Sequence, residues 1–411
     1  LLSFFRIYTH PKMLIVLGMG FSSGLPLLLV GSTLGAWLTD AGLSKASIGT
    51  FALVALPYSF NFLWAPFIDR VRLPYLTRRF GRRRGWILLM QVLLMIAIAC
   101  LALFEPTTQA AHIAWLTVLV AWFSASQDVV IDAFRTEYLD KTQFGEGAAV
   151  AVFGYRLGML MAGAGALALA DAINWQLVFQ VMALGMLVGV LTTLLASEPA
   201  QVDAPEDGHV LKRALVDPFK DFAQRHQSWF WILLLIFTYR LPDGFIGFMT
   251  TPFFLDIGFT KSEIAAIAKI YGFGATLVGM FIGGTLIHTL GVQRCLLLFL
   301  LLQIVTNLAY GALSLIGPEG WALAAAITLD NAAGGMITAA AIAYMMSLCN
   351  RQYTATQYAL LSSLASLASK TLAGAAGWVA DTYSWTHMFG LSALLGIPAL
   401  MILCLPSLRS R

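Results

Sequence analysis

Apolar runs of about twenty residues, the length that crosses the hydrocarbon core of a bilayer, recur along this chain and limit its fold more than any motif does. They fall near 13–38, 47–68, 86–104, 113–134, 147–170 and 175–196. A polar stretch follows from Ser197 to Ser228, and six more runs lie near 229–254, 264–287, 293–316, 321–346, 355–380 and 386–406. Backbone polar groups in hydrocarbon have no water to bond, so each run is expected to be a helix. The reading is an all-α integral membrane protein with twelve transmembrane helices. Two six-helix bundles, 1–196 and 229–411, are joined by a linker at 197–228 rich in Asp, Glu, Lys and Pro. Composition agrees: 59% of residues are hydrophobic and 11% charged, against about 25% charged in a soluble domain. At that charge density a globule could not cover its surface with polar groups. This excludes a soluble enzyme, a nucleic-acid binder and a disordered scaffold, and makes the lipid bilayer the expected partner. The first run is long enough to span, so no cleavable signal peptide is expected.

Lys and Arg set the expected orientation. The N-terminus, alternate loops, the linker and the C-terminus together hold nineteen of the 25 basic residues; the opposite loops hold only Lys45 and Lys261, and the other four lie inside runs. Both termini and the linker are therefore expected in the cytoplasm. The four cysteines are scattered without a CxxC pair and the six histidines show no ligand spacing, so neither a redox motif nor a metal centre is supported.

The two halves echo each other. Leu25-Pro26 recurs as Leu241-Pro242, and at the same offset of 216 Asp40, Gly42, Lys45 and Ile48 match Asp256, Gly258, Lys261 and Ile264. A second echo, at an offset of 210, links Ala170-Asp171 and Trp175 to Ala380-Asp381 and Trp385. Both halves start on the same side of the membrane, so the repeat is parallel, about an axis along the normal. Transporters of the major facilitator type are built in this way, with a substrate site near the midplane between the halves.

Eight acidic or basic residues fall inside the runs: Asp128, Asp132, Arg156, Arg240, Asp243, Lys269, Asp330 and Lys370. An unpaired charge at the bilayer centre costs roughly 2.5–3.5 kcal/mol on insertion scales, so each calls for a partner or a wet cavity. At about 1.5 Å per residue, depth matching allows Asp128 with Arg156, Asp243 with Lys269, and Asp330 with Lys370. Asp132 lies one turn from Asp128 and within reach of Arg135. Buried structural locks are one account of these pairs. The acids, however, all lie in the fourth, seventh and tenth runs, whose helices line the cavity in that architecture. Asp128 is the first candidate for proton coupling, with Asp132, Asp243 and Asp330 beside it; protonating Asp128 would release a partner such as Arg156 to hold an anionic substrate. Arg156, Arg240, Lys269 and Lys370 are the cationic substrate-binding candidates, and Gln127, Asn61, Tyr58, Tyr155 and Asn331 the polar and aromatic ones. No cofactor is expected, since a proton entering down the membrane potential supplies about 2.3 kcal/mol per 100 mV.

Glycines at 154, 158, 163 and 165, and at 272, 274, 279, 283 and 284, read as surfaces where helix backbones approach closely. The basic loop from Asp69-Arg70 to Arg82, Arg83 and Arg84 is explained by orientation alone, or by a conformational latch between the halves that forms in one state only.

Several stretches together resemble the AmpG-type muropeptide permeases of the major facilitator superfamily. They are Gly20-Phe-Ser-Ser-Gly-Leu-Pro26, Phe62-Leu-Trp-Ala-Pro66 leading to Asp69-Arg70, and Phe80-Gly-Arg-Arg-Arg-Gly-Trp86. Ser124-Ala-Ser-Gln-Asp128 with Asp132-Ala133, Gly154-Tyr-Arg-Leu-Gly-Met-Leu160 and Ala355-Thr-Gln-Tyr-Ala-Leu-Leu361 complete the set. The resemblance covers nearly the whole chain. It implies import of anhydro-muropeptides across the bacterial inner membrane from periplasm to cytoplasm, with protons, feeding peptidoglycan recycling and in some bacteria β-lactamase induction. The motif positions that carry over are Gln127, Asp128, Asp132, Tyr155 and Arg156. Some members are longer, with extra helices. The resemblance thus implies a sugar-peptide substrate, and the expected protein is a monomeric transporter and not an enzyme. The alternatives are a carrier for another bulky anion such as acetyl-coenzyme A, a non-transporting muropeptide receptor, and an intramembrane enzyme acting on lipid-linked sugars.

Overall fold

The computed structural model describes residues 8–43, 56–200, 210–246, 249–260, 263–264, 267 and 271–405. Regular structure among them is helical, and ten helices are long and apolar enough to cross a membrane. Five precede the linker: α1 (Pro11–Asp40), α2 (Arg82–Leu101), α3 (Pro106–Tyr138), α4 (Lys141–Ala170) and α5 (Trp175–Leu195). The linker contributes α6 (Val210–Arg225). Then follow α7 (Trp229–Asp256), α8 (Gly272–Leu290), α9 (Val292–Ile316), α10 (Gly320–Leu348), α11 (Thr354–Thr371) and α12 (Trp385–Leu403). The second predicted run is described from Leu56 onward, as short helices Leu56–Phe60 and Ala65–Arg70 joined by a 3-10 turn. The eleventh is α11 followed by the short helix Ala373–Thr382. The eighth begins at Gly272, its earlier residues lying mostly outside the described set.

The chain forms two compact units. Unit 1 comprises 1–140, 150–218 and 349–359; unit 2 comprises 141–149, 219–348 and 360–411. Each half of the sequence thus lends a short segment to the unit built mainly from the other.

Unit 1 is organised by the approach of α1 to α4. A methyl added at Gly20 or Gly24 would strike the carbonyls of Ala151 and Tyr155, and one at Gly154 or Gly158 those of Leu17 and Phe21. Glycine at four-residue spacing on both helices lets the backbones touch. Behind this seam a buried polar chain ties four helices. Ser22 donates to Gln127 Oε1 at 3.1 Å, Gln127 Nε2 donates to the Ser22 carbonyl at 3.0 Å, Gln91 donates to Ser22 Oγ at 3.3 Å, and Thr193 donates to Gln91 at 3.1 Å.

Unit 2 repeats the device with α8 and α10, where Gly279 faces the Ala332 carbonyl and Gly335 the Thr276 carbonyl. Its core is aromatic: Phe389 meets Phe253 edge to face at 4.8 Å and stacks on Tyr310 at 5.3 Å. The sequence echo is built into both units. Trp175 Nε1 donates to Asp40 at 2.9 Å in unit 1, and Trp385 Nε1 donates to Asp256 at 2.6 Å in unit 2. The matching glycines, Gly42 and Gly258, both take the left-handed backbone at φ +81° and +106°. Each ends its helix with an amide reaching back five residues, Leu43 to Leu38 and Phe259 to Phe254, both at 3.0 Å.

Candidate functional site

Two carboxylates on α3 sit one turn apart in different surroundings. Asp132 is neutralised by Arg135 at 2.7 Å, and Arg135 also donates to the Tyr358 hydroxyl at 3.0 Å. Asp128 is half-buried, and its Oδ1 is shielded from solvent without a hydrogen-bond partner. Around it lie Ser23 of α1, Asp132 and Arg135 of α3, and the hydroxyls of Tyr58 and Tyr155. The depth match of Asp128 with Arg156 does not become an ion pair, because Arg156 is not among the groups around Asp128. The Gly154–Gly158 face of α4 lies against α1, and the residue between them, Tyr155, lies near enough to Asp128 to feel its charge. Gln127 is fully buried with both ends of its amide bonded to Ser22, so it holds α3 to α1. Asn61 lies half-buried in the 3-10 turn after Tyr58.

The second cluster in unit 1 surrounds Arg83, whose side chain is 1% exposed. It reaches Asp69 at 2.7 Å and Glu137 at 2.6 Å. Asp69 also accepts from the Ala355 amide at 3.2 Å, the Thr356 amide at 2.8 Å and the Thr356 hydroxyl at 2.7 Å, capping the first turn of α11. The loop arginines divide their tasks. Arg82 donates to the Asp69 carbonyl at 3.0 Å, Arg84 to the carbonyls of Thr193 and Leu194 at the end of α5, and Arg70 to Asp217 at 3.4 Å. Glu198 accepts the amides of Arg83 and Arg84 at 2.8 and 3.0 Å, capping α2. Burial pushes its carboxyl above the usual range, against the opposing pull of those two amides. Sequence reasoning found Asp69 and the arginines from their density. It missed Glu137 and Glu198, which stand far from that loop in sequence.

In unit 2 Asp330 accepts from Tyr310 and from Gln303, both at 3.1 Å, and Gln303 also donates to Asn307 at 2.9 Å. Asp243 lies 3.7 Å from Arg240 on its own helix. Lys269 and the Lys370 side chain lie outside the described residues, and with them the expected pairings to Asp243 and Asp330. Asn331 accepts from Thr276 of α8 at 2.9 Å and donates to Ile327. Its amide joins α8 to α10. An unforeseen contact brings Glu146, in the first turn of the regular α-helical part of α4, to His288 in the last turn of α8 at 2.6 Å, an ion pair when the imidazole is protonated. The signal was an acid where a helix begins and an imidazole where another ends.

Comparison with known proteins places this geometry. The family model described as Major Facilitator Superfamily matches residues 13–369 and 232–411. An anhydromuropeptide permease of Escherichia coli K12 is 41% identical over 97% of this chain and 80% of its own length. A putative transporter AmpG 4 of Rickettsia conorii is 36% identical over 97% of both chains. Among solved structures, the fold matches FucP in its outward conformation with a TM-score of 0.69 at 14% identity, covering 97% of this chain and 99% of that one. A bacterial homologue of the iron transporter ferroportin matches with a TM-score of 0.71 at 14% identity, covering 96% and 98%. With relatives of this closeness along nearly its whole length, the chain belongs to the AmpG branch of the major facilitator superfamily.

Proposed function

We propose that this protein imports anhydro-muropeptides from periplasm to cytoplasm by alternating access, driven by protons, with both termini and the linker on the cytoplasmic side of the bacterial inner membrane. The substrate class rests on the likeness to the E. coli permease, and the orientation on the distribution of Lys and Arg. The observation that carries proton coupling is Asp128, a membrane-embedded acid with an unpartnered oxygen and no ion pair among the described residues, set beside Tyr58 and Tyr155. Asp132, already neutralised by Arg135, keeps that stretch of α3 in register. Asp128 binds the proton and the adjacent rings offer stacking faces to sugar. Asp330, held by Tyr310 and Gln303, is the corresponding acid of unit 2, and Arg156 and Arg240 serve the substrate's carboxylates. The bonds from Asp69 to Arg83, Ala355 and Thr356 act as the conformational latch, made in one state of the cycle and broken in the other.

The test is uptake of labelled anhydro-muropeptide into proteoliposomes with and without an inward proton gradient. Gradient-driven accumulation in the wild type, lost in Asp128→Asn while substrate binding persists, is the expected result. Accumulation that ignores the gradient would remove the proton from the mechanism, and binding without uptake would turn the protein into a receptor.

A further inference from the structure

A cavity of about 1000 Å³ opens in unit 2 where the end of α6, the start of α7, the α8–α9 corner and the end of α10 converge. Its wall carries Lys141, Arg225, His226 and Arg294, and no acidic side chain. Arg225 and His226 are fixed in place. Arg225 donates to Asp221 at 2.9 Å and to the Leu348 carbonyl at 3.2 Å, and the His226 ring bonds the same carbonyl at 3.2 Å. Lys141 and Arg294 are exposed to the cavity and form no ion pair among the described residues. Gly291, at φ +81°, makes the tight corner that brings the first residues of the 25-residue helix α9 to the same wall. Three cationic side chains, Lys141, Arg225 and Arg294, supply the N–H donors and the positive charge of a phosphate site.

The surroundings select the source of the phosphate. Trp229, Phe230 and Trp231, directly after the cavity residue Ser228, are all more than 40% exposed. Such a cluster marks the membrane–water interface. We infer that this cavity binds the phosphate of an anionic phospholipid headgroup, a function separate from transport and independent of the substrate. Basic pockets between membrane helices hold such headgroups by this chemistry.

The experiment uses the purified full chain, measuring lipid retention by native mass spectrometry and the thermal midpoint in phosphatidylglycerol, in phosphatidylcholine and in inorganic phosphate. Phosphatidylglycerol is retained and raises the midpoint of the wild type, whereas phosphatidylcholine does neither. The pair Lys141→Gln and Arg294→Gln weakens that retention at least about tenfold. The control pair Arg78→Gln and Arg79→Gln, of equal charge loss, leaves it unchanged. Equal effects of the two lipids on the wild type, or an equal loss in the control pair, would overturn the site. Displacement of the lipid by millimolar inorganic phosphate would overturn the lipid as occupant in favour of a soluble phosphate. The wild-type comparison stands even where the double variant fails to fold.

Discussion

Arg83 shows how a charge is kept away from water in this protein: two carboxylates hold it, and one of them, Asp69, also takes three donors from residues 355 and 356. Asp69→Asn leaves the guanidinium with one carboxylate and weakens the cap on α11. Removing one partner of a buried ion pair costs about 3–5 kcal/mol, so the thermal midpoint falls and a protease cuts sooner in the 349–359 segment. An unchanged midpoint would show that Glu137 alone suffices. His226 gives the pH response of the linker end. Burial, foremost, and the neighbouring Arg225 lower its basicity, while Asp221 and the Leu348 carbonyl oppose them. The folded state therefore resists protonating a ring whose ordinary pKa is about 6.5. This group's contribution to stability is intact above that value and is lost as the pH falls through it toward the lower folded pKa. In His226→Gln that segment of the stability–pH curve is flatter, as read by thermal midpoints between pH 5 and 7. The arginines were legible in the sequence because seven crowd the stretch from Asp69 to Arg84. Their acids were not, since Glu137 and Glu198 reach that loop only after the chain has crossed the membrane and returned.

Helices meet here through backbone more than through bulk. Gly24→Ala would put a methyl into the Tyr155 carbonyl, and Gly335→Ala one into the Thr276 carbonyl. Rigid neighbours on both sides mean the helices must separate, at a cost of about 1–3 kcal/mol for overpacking. Each variant is expected to lower the thermal midpoint. Gly35→Ala, which meets nothing within 4 Å, serves as the matched control and should leave it within error. The glycines of α4 and α8 were readable as packing surfaces, but their partners were not: a small residue announces a close approach without naming which helix makes it. Hydropathy likewise located the membrane-embedded part of α3 near 113–134, while the helix runs from Pro106 to Tyr138. Its ends are polar because they stand outside the hydrocarbon. The same logic applies to the membrane-embedded amides. Gln127 and Asn331 were chosen as amides that need a partner in lipid, and each found that partner on a neighbouring helix.

Across the whole molecule the repeat is the feature that sequence gave most fully and structure sharpened most. Two separate echoes, one carrying Asp40 and Asp256 and the other Trp175 and Trp385, turn out to be two ends of one hydrogen bond made once in each unit. Trp175→Phe and Trp385→Phe each delete a single donor and keep an aromatic ring. Each is expected to cost about 1 kcal/mol, with the two losses adding in the double variant because the bonds share no residue. A strongly non-additive result in thermal unfolding would mean that the two bonds are coupled. What neither echo could convey is the exchange of segments, because residues 141–149 and 349–359 look in sequence like ordinary starts of helices.

The twin Asp–Trp bonds also carry a date. A bond that appears twice, at corresponding places and with corresponding left-handed glycines beside one of its ends, is most simply inherited from one that existed before the gene was doubled. The ancestor was then a six-helix chain that already fastened its first helix to its last.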